Sequence, residues 1–172
     1  MKTNLDCAKP AIKSGEGIKV EESITINRPV SEVYSFWHDL KNLPRFMKHL
    51  KSVTVKDGTF SHWVCRRSKN DLVEWDAEVI EDRRDEIISW RSLPDAEIHN
   101  AGSVWFSEAT GGRGTMLKVS LKYLPPGGKF GATIAKMFGG DVQKIISEDL
   151  FRLKTLLETG EMPTIEGQPQ GN

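Results

Sequence analysis

The chain has 172 residues, enough for one domain with a core of its own and no need of covalent staples. Its 24 basic and 24 acidic residues cancel, which argues against the cationic surface that nucleic acid or an anionic membrane selects. Only two cysteines, Cys7 and Cys65, occur, with no C-x-x-C, so neither a disulfide framework nor a zinc knuckle is expected. The N-terminal lysines are not followed by an apolar leader core. No apolar run approaches the ~20 residues that span a bilayer. The sequence therefore reads as soluble and cytoplasmic, with no transmembrane segment and at most transient membrane contact.

Residues 1–17 and 160–172 are polar and punctuated by Gly and Pro, and both are expected to be flexible tails. The folded domain is expected over 18–159. Residues 18–27 alternate, with Val20, Ile24 and Ile26 on one face, and predict a first strand. Pro29 opens a helix in its first turn, where Val30, Val33, Tyr34 and Trp37 form one apolar stripe. A second short helix is expected over Asn42–Leu50, anchored by Phe46, Met47 and Leu50.

Strands follow at 51–56, 59–67, 72–81, 86–93, 97–108 and 115–123. Asp57-Gly58 is a two-residue hairpin signal. Gly111, Gly112 and Gly114 turn the chain again before the last strand. About seven strands joined by tight turns predict an antiparallel sheet. Each strand has one apolar face, so the sheet needs a cover. The remaining candidate is a long helix from about 129 to 158, striped by Ile134, Phe138, Val142, Ile145, Ile146, Leu150, Leu153 and Leu157. Gly139-Gly140 should weaken it locally. The fold class is α+β: a curved antiparallel sheet closed by a C-terminal helix. A sheet that curves around a helix leaves a gap between them, and such a gap is a ready apolar pocket.

The blocks ESITINRPVSEVYSFWHDLKNLPRFM, EWDAEVIEDRRDEIISWRSL, GSVWF, LKYLPPGGKFGATIAKMFG and EDLFRLKTLLETGE resemble the polyketide cyclase/dehydrase and lipid-transport superfamily. This is the START-like helix-grip group, and the resemblance covers about 18–168. It implies a helix-grip fold with a hydrophobic small molecule held between sheet and helix: a lipid, an isoprenoid quinone or a polyketide-like compound. Members differ in activity, so the resemblance bears on fold more than on function.

The candidate ligand-binding residues follow from strand alternation. Trp63, Trp75, Trp90, Val104, Phe106, Leu117, Val119 and Tyr123 share the inner face, and Phe130, Ile134 and Phe138 begin the helical lid. They either wall a cavity or form ordinary core, in which case the filled pocket would leave an interaction module, since large aromatics dominate both. Tyr123 and Asn100 are the candidate polarising groups of a cyclase-type enzyme. Asn100, Ser92 and Thr115 could equally bond neighbouring backbone. Glu74, Asp76 and Glu78 fall on one strand face opposite Trp75 and Ala77, which makes them the solvated outer face. His38, His49, His62 and His99 lack metal-ligand spacing, so no metal and no cofactor is expected. The stretch Gly128-Lys129-Phe130 lacks the Ser/Thr of a phosphate loop, and YLPPGGKFG reads instead as a hinge between sheet and lid. The oligomeric state is left open by the sequence.

Overall fold

The computed structural model describes residues 17–124 and 141–161. Seven strands form one sheet: β1 (Ile18–Ile26), β2 (Leu50–Asp57), β3 (Phe60–Ser68), β4 (Asp71–Arg83), β5 (Ile87–Ser92), β6 (His99–Glu108) and β7 (Thr115–Leu124). Their spatial order is β1-β7-β6-β5-β4-β3-β2, and every pair is antiparallel. Strands β2 to β7 are thus a meander, and β1 pairs with β7 at one edge. Register shifts interrupt β2–β3, β3–β4 and β4–β5. Such bulges bend a strand and increase its twist, and the sheet is curved. The hairpin read from Asp57-Gly58 is present, with Gly58 at φ +51°.

Helix α1 (Val30–His38) follows β1 and buries Val33, Tyr34 and Trp37. The Tyr34 hydroxyl donates to Asp82 at 2.5 Å, and His38 Nε2 lies 2.8 Å from the other oxygen of the same carboxylate. Burial, then the Asp82 bond, pushes the Tyr34 phenol up to about 12. These bonds tie α1 to the far end of β4.

The second helix differs from its expected form. A 3-10 turn covers Leu40–Arg45, its first turn capped by Asp39 accepting from the Lys41 amide at 3.3 Å. Leu50 already belongs to β2. Pro44 lies inside the turn and has no N–H for a longer α ladder, so the segment closes through short i→i+3 bonds. Phe46 still anchors the core, at 1% exposure.

Helix α2 (Val142–Thr159) lies along β1. Asp141 caps its start by accepting from the Gln143 amide at 3.0 Å, and Gly160 at φ +73° ends it. Its N-terminal turn is held by Gln143 Nε2 donating to Glu21 O and to Glu22. At its other end Arg28 donates to the carbonyls of Leu157 and Glu158 at 2.8 and 3.0 Å. A cation there also opposes the negative end of the helix dipole. Lys154 reaches Thr25 O at 2.6 Å, and Glu158 accepts from the Asn27 amide at 2.7 Å. Leu150 and Leu153 join Ile26, Val33, Trp37 and Phe46 in the main core. The expected residues 129–140 of the long helix, with Gly139-Gly140 and the Pro-Gly hinge, lie outside the described residues, as do both tails beyond 17 and 161.

Candidate ligand cavity

A cavity of about 180 Å³ lies between the inner face of the sheet, the 40–50 segment and α2. An engineered apolar cavity of about 150 Å³ is already enough to admit benzene. Three tryptophans reach it from successive strands: Trp63 on β3, Trp75 on β4 and Trp90 on β5. Trp37 of α1 adds a fourth. Trp63 and Trp75 are register partners and stack at 6.0 Å with their planes 15° apart. Trp63 Nε1 donates to Ser61 Oγ at 2.8 Å. Trp75 Nε1 is buried and meets no hydrogen-bond partner among the described residues. Trp90 packs against Gly102, its register partner on β6, where a Cβ would stand 2.3 Å from the ring.

Of the other inner-face candidates, Val119, Tyr123 and Asn100 also line the cavity. Asn100 and Tyr123 are register partners on β6 and β7. Asn100 Nδ2 donates to Ile98 O at 3.2 Å, and its backbone amide donates to Ser92 Oγ at 3.0 Å. Burial, then the Asp141 charge, raises the Tyr123 phenol above its ordinary value. Val104, Phe106 and Leu117 share the same face but do not reach the cavity. They are packed into solid core with Ile26, Val33 and Tyr34. The reason is which helix covers them: α1 packs on β6 there, and Tyr34 meets Phe106 edge-on at 5.4 Å. Thr115 Oγ1 is likewise engaged, donating to Arg28 O at 2.7 Å. Phe130, Ile134 and Phe138 lie outside the described residues.

Sequence reasoning missed one polar corner of this wall: Asp149 of α2, His49 and Cys65 of β3. Asp149 is 8% exposed. Its Oδ1 accepts from the Lys48 amide at 3.2 Å and from the Arg152 guanidinium. Arg152 Nε in turn donates to Phe46 O at 2.9 Å, so this pair stitches α2 to the turn before β2. Burial raises the Asp149 carboxyl above its ordinary value, against the opposing pull of the Lys48 amide and Arg152. Burial and then the Asp149 charge push the Cys65 thiol up to about 11. The signal was present: Asp149 interrupts the stripe Ile145, Ile146, Leu150, Leu153. An acid inside an apolar stripe must find a partner or a ligand.

The carboxylate row of β4 lies on the opposite face. Asp76 accepts from His62 at 2.8 Å and pairs with Lys56 at 3.0 Å. The His62 bond leads the lowering of its carboxyl. Glu78 accepts from Arg91 Nε at 2.6 Å. Among the described residues, no group of three or more His, Cys, Asp or Glu side chains could hold a metal ion. None of the described helices is long and apolar enough to cross a membrane.

Residues 26–151 match the family model described as polyketide cyclase / dehydrase and lipid transport. The chain belongs to this family. The matched stretch includes every cavity-lining residue named above. An uncharacterized 17.2 kDa protein of Streptomyces lincolnensis is 36% identical over 89 residues, a match spanning 51% of this chain and 57% of that relative. The crystal structure of DR_A0006 from Deinococcus radiodurans is 36% identical, with a TM-score of 0.68 over 84% of this chain and 99% of that one. A START superfamily protein from Mycobacterium smegmatis superposes with a TM-score of 0.65 at 12% identity, over 81% of this chain and 98% of that one. That last likeness concerns the fold alone, and the fold is START-like.

Proposed function

We propose that this protein binds and carries a hydrophobic small molecule, a lipid, isoprenoid quinone or polyketide-like compound, in the cavity between sheet and α2. The observation that carries the reading is the cavity wall itself: four tryptophans and aliphatic side chains around an open space of about 180 Å³. A stable core is packed to crystal-like density, so open apolar volume of this size has a use. Hiding roughly 400 Å² of apolar ligand surface gains on the order of 10 kcal/mol. Association and ordering costs then reduce that to affinities around micromolar. We assign the protein to the cytoplasm, in keeping with the free thiol of Cys65.

A second reading, a cyclase- or dehydrase-type enzyme, draws on the polar groups that face the same space. Asn100 and Tyr123 stand at the β6–β7 side, and Asp149 with His49 at the other. A buried acid that feels a nearby histidine is chemically suited to proton transfer. Native mass spectrometry of the purified protein tests the carrier reading. A retained apolar compound released on denaturation is expected. Repeated isolation of ligand-free protein that takes up no apolar probe would sink it. Turnover of a polyketide-like substrate, lost in Tyr123→Phe, would establish the enzyme instead.

A further inference from the structure

The cavity wall is apolar almost throughout, so its few polar atoms decide which end of a ligand goes where. Asp149 is the one acidic side chain in that wall among the described residues. Both of its protein bonds, from the Lys48 amide and from Arg152, go to Oδ1. Oδ2 accepts nothing from the described residues, although the side chain is buried and lines the open space. Arg152 pairs with the carboxylate at Oδ1 and is not among the residues that line the cavity. The flanking groups are His49 and the Cys65 thiol, a poor competitor for a strong acceptor. A carboxylate with one oxygen doubly engaged and the other without a partner among the described residues, on a side chain that lines an apolar space, is an acceptor waiting for a donor.

We propose that Asp149 reads the polar end of the ligand, selecting an apolar compound that bears a neutral hydrogen-bond donor, a hydroxyl above all, over one that bears a carboxylate. This rests on the carrier reading of the cavity. A ligand hydroxyl donates to Oδ2 and completes the lone pairs of a buried anion. An anionic headgroup, such as that of a fatty acid, meets a like charge in a low-dielectric corner and is repelled. A ligand with no polar end leaves Oδ2 unsatisfied. A site built to bond a hydroxyl discriminates more sharply against the analogue lacking it than an apolar pocket does against an added methyl.

Calorimetric titration of the full chain at neutral pH with 2-naphthol, 2-methylnaphthalene and 2-naphthoate tests the idea. The three share one ring system and differ only at the polar end. 2-Naphthol is expected to bind about tenfold more tightly than either of the others, the factor typical of a hydrogen bond to a charged group. Asp149→Asn keeps the shape and can keep its carbonyl oxygen on Arg152 and the Lys48 amide, which turns an amide N–H toward the cavity. The preference should then swing from 2-naphthol toward 2-naphthoate by at least the same factor. Wild-type binding of 2-methylnaphthalene or 2-naphthoate as tight as that of 2-naphthol overturns the proposal, and does so without any variant. An unchanged order in a folded Asp149→Asn protein overturns it as well. Binding of all three alike removes the Asp149 preference but leaves the carrier reading standing, whereas binding of none removes both.

Discussion

Replacing Gly102 by alanine should force Trp90 off the sheet and into the cavity. A Cβ built on Gly102 stands 2.3 Å from Trp90 Cζ2, 2.7 Å from Cη2 and 2.9 Å from the carbonyl oxygen of Ser120. Carbon atoms rest at about 3.5–4.0 Å, so the indole must retreat by more than about 1 Å. The Ser120 carbonyl belongs to β7 and is fixed by its ladder with β1 and β6, so the backbone has little room to back away. Trp90 lines the ligand cavity, which gives the ring a space to retreat into. Overpacking of this kind costs about 1–3 kcal/mol. For a chain of this size each kcal/mol lowers Tm by about 2–4 °C, so a fall of about 2–12 °C is expected in a circular-dichroism melt. The displaced indole should also lower the affinity of a naphthalene probe, because it occupies the space the probe needs. A melt within about 1 °C of wild type together with unchanged probe affinity would refute the argument.

Three further outcomes follow from the polar contacts. Cys65, with its thiol pushed up to about 11 and buried at the cavity, should react with iodoacetamide at neutral pH at least about tenfold more slowly in the native state than in denaturant. In a Cys7→Ser background, equal rates in the two states would contradict the burial argument. Arg28→Ala removes both donors to the last carbonyls of α2 and should cost about 1–2 kcal/mol in urea unfolding. No loss would mean that water replaces the side chain at no cost. Glu158, held by Lys154 and then the Asn27 amide, has its carboxyl lowered below the ordinary 4.5. A lowered native value contributes stability above the unfolded value that disappears as pH falls through the native one. Glu158→Gln should therefore cost less than about 1 kcal/mol at neutral pH, given its exposure, and nothing once the carboxylate is protonated. A cost that grows on acidification would reverse that sign.

The sheet was legible because its strands alternate and its turns carry Gly and Asp. Val73, Trp75, Ala77 and Val79 oppose Glu74, Asp76 and Glu78 in sequence, and the same division separates cavity and core from the salt-bridged outer face. The 3-10 turn at Leu40–Arg45 was harder to read, because apolar spacing over nine residues fits either helix type and only the hydrogen-bond ladder distinguishes them. Alternation assigns a face but not what covers it. Trp90 and Phe106 look alike in the pattern, yet Phe106 lies under Tyr34 of α1 while Trp90 faces open space. Asp149 was readable as a fault in an apolar stripe, but its partners Lys48 and Arg152 come from a turn about a hundred residues earlier and from its own next turn. Only the packing brings them together.

The pairing of β1 with β7 has a consequence for how the chain acquires this shape. Ile18 meets Tyr123 and Ile26 meets Thr115, so β1 has no partner in this sheet until β7 has emerged. Strands β2 to β7 can zip up as successive hairpins, each closing a short loop on its neighbour. The β1 edge must instead close most of the chain at once, and contacts of such long sequence separation slow folding. Until then the open flank of β7 and the part of α2 that lies along β1 are both without cover. Synthesis-coupled folding should therefore stall one strand short of completion, and the pairing of β1 is the step that completes the seven-stranded sheet.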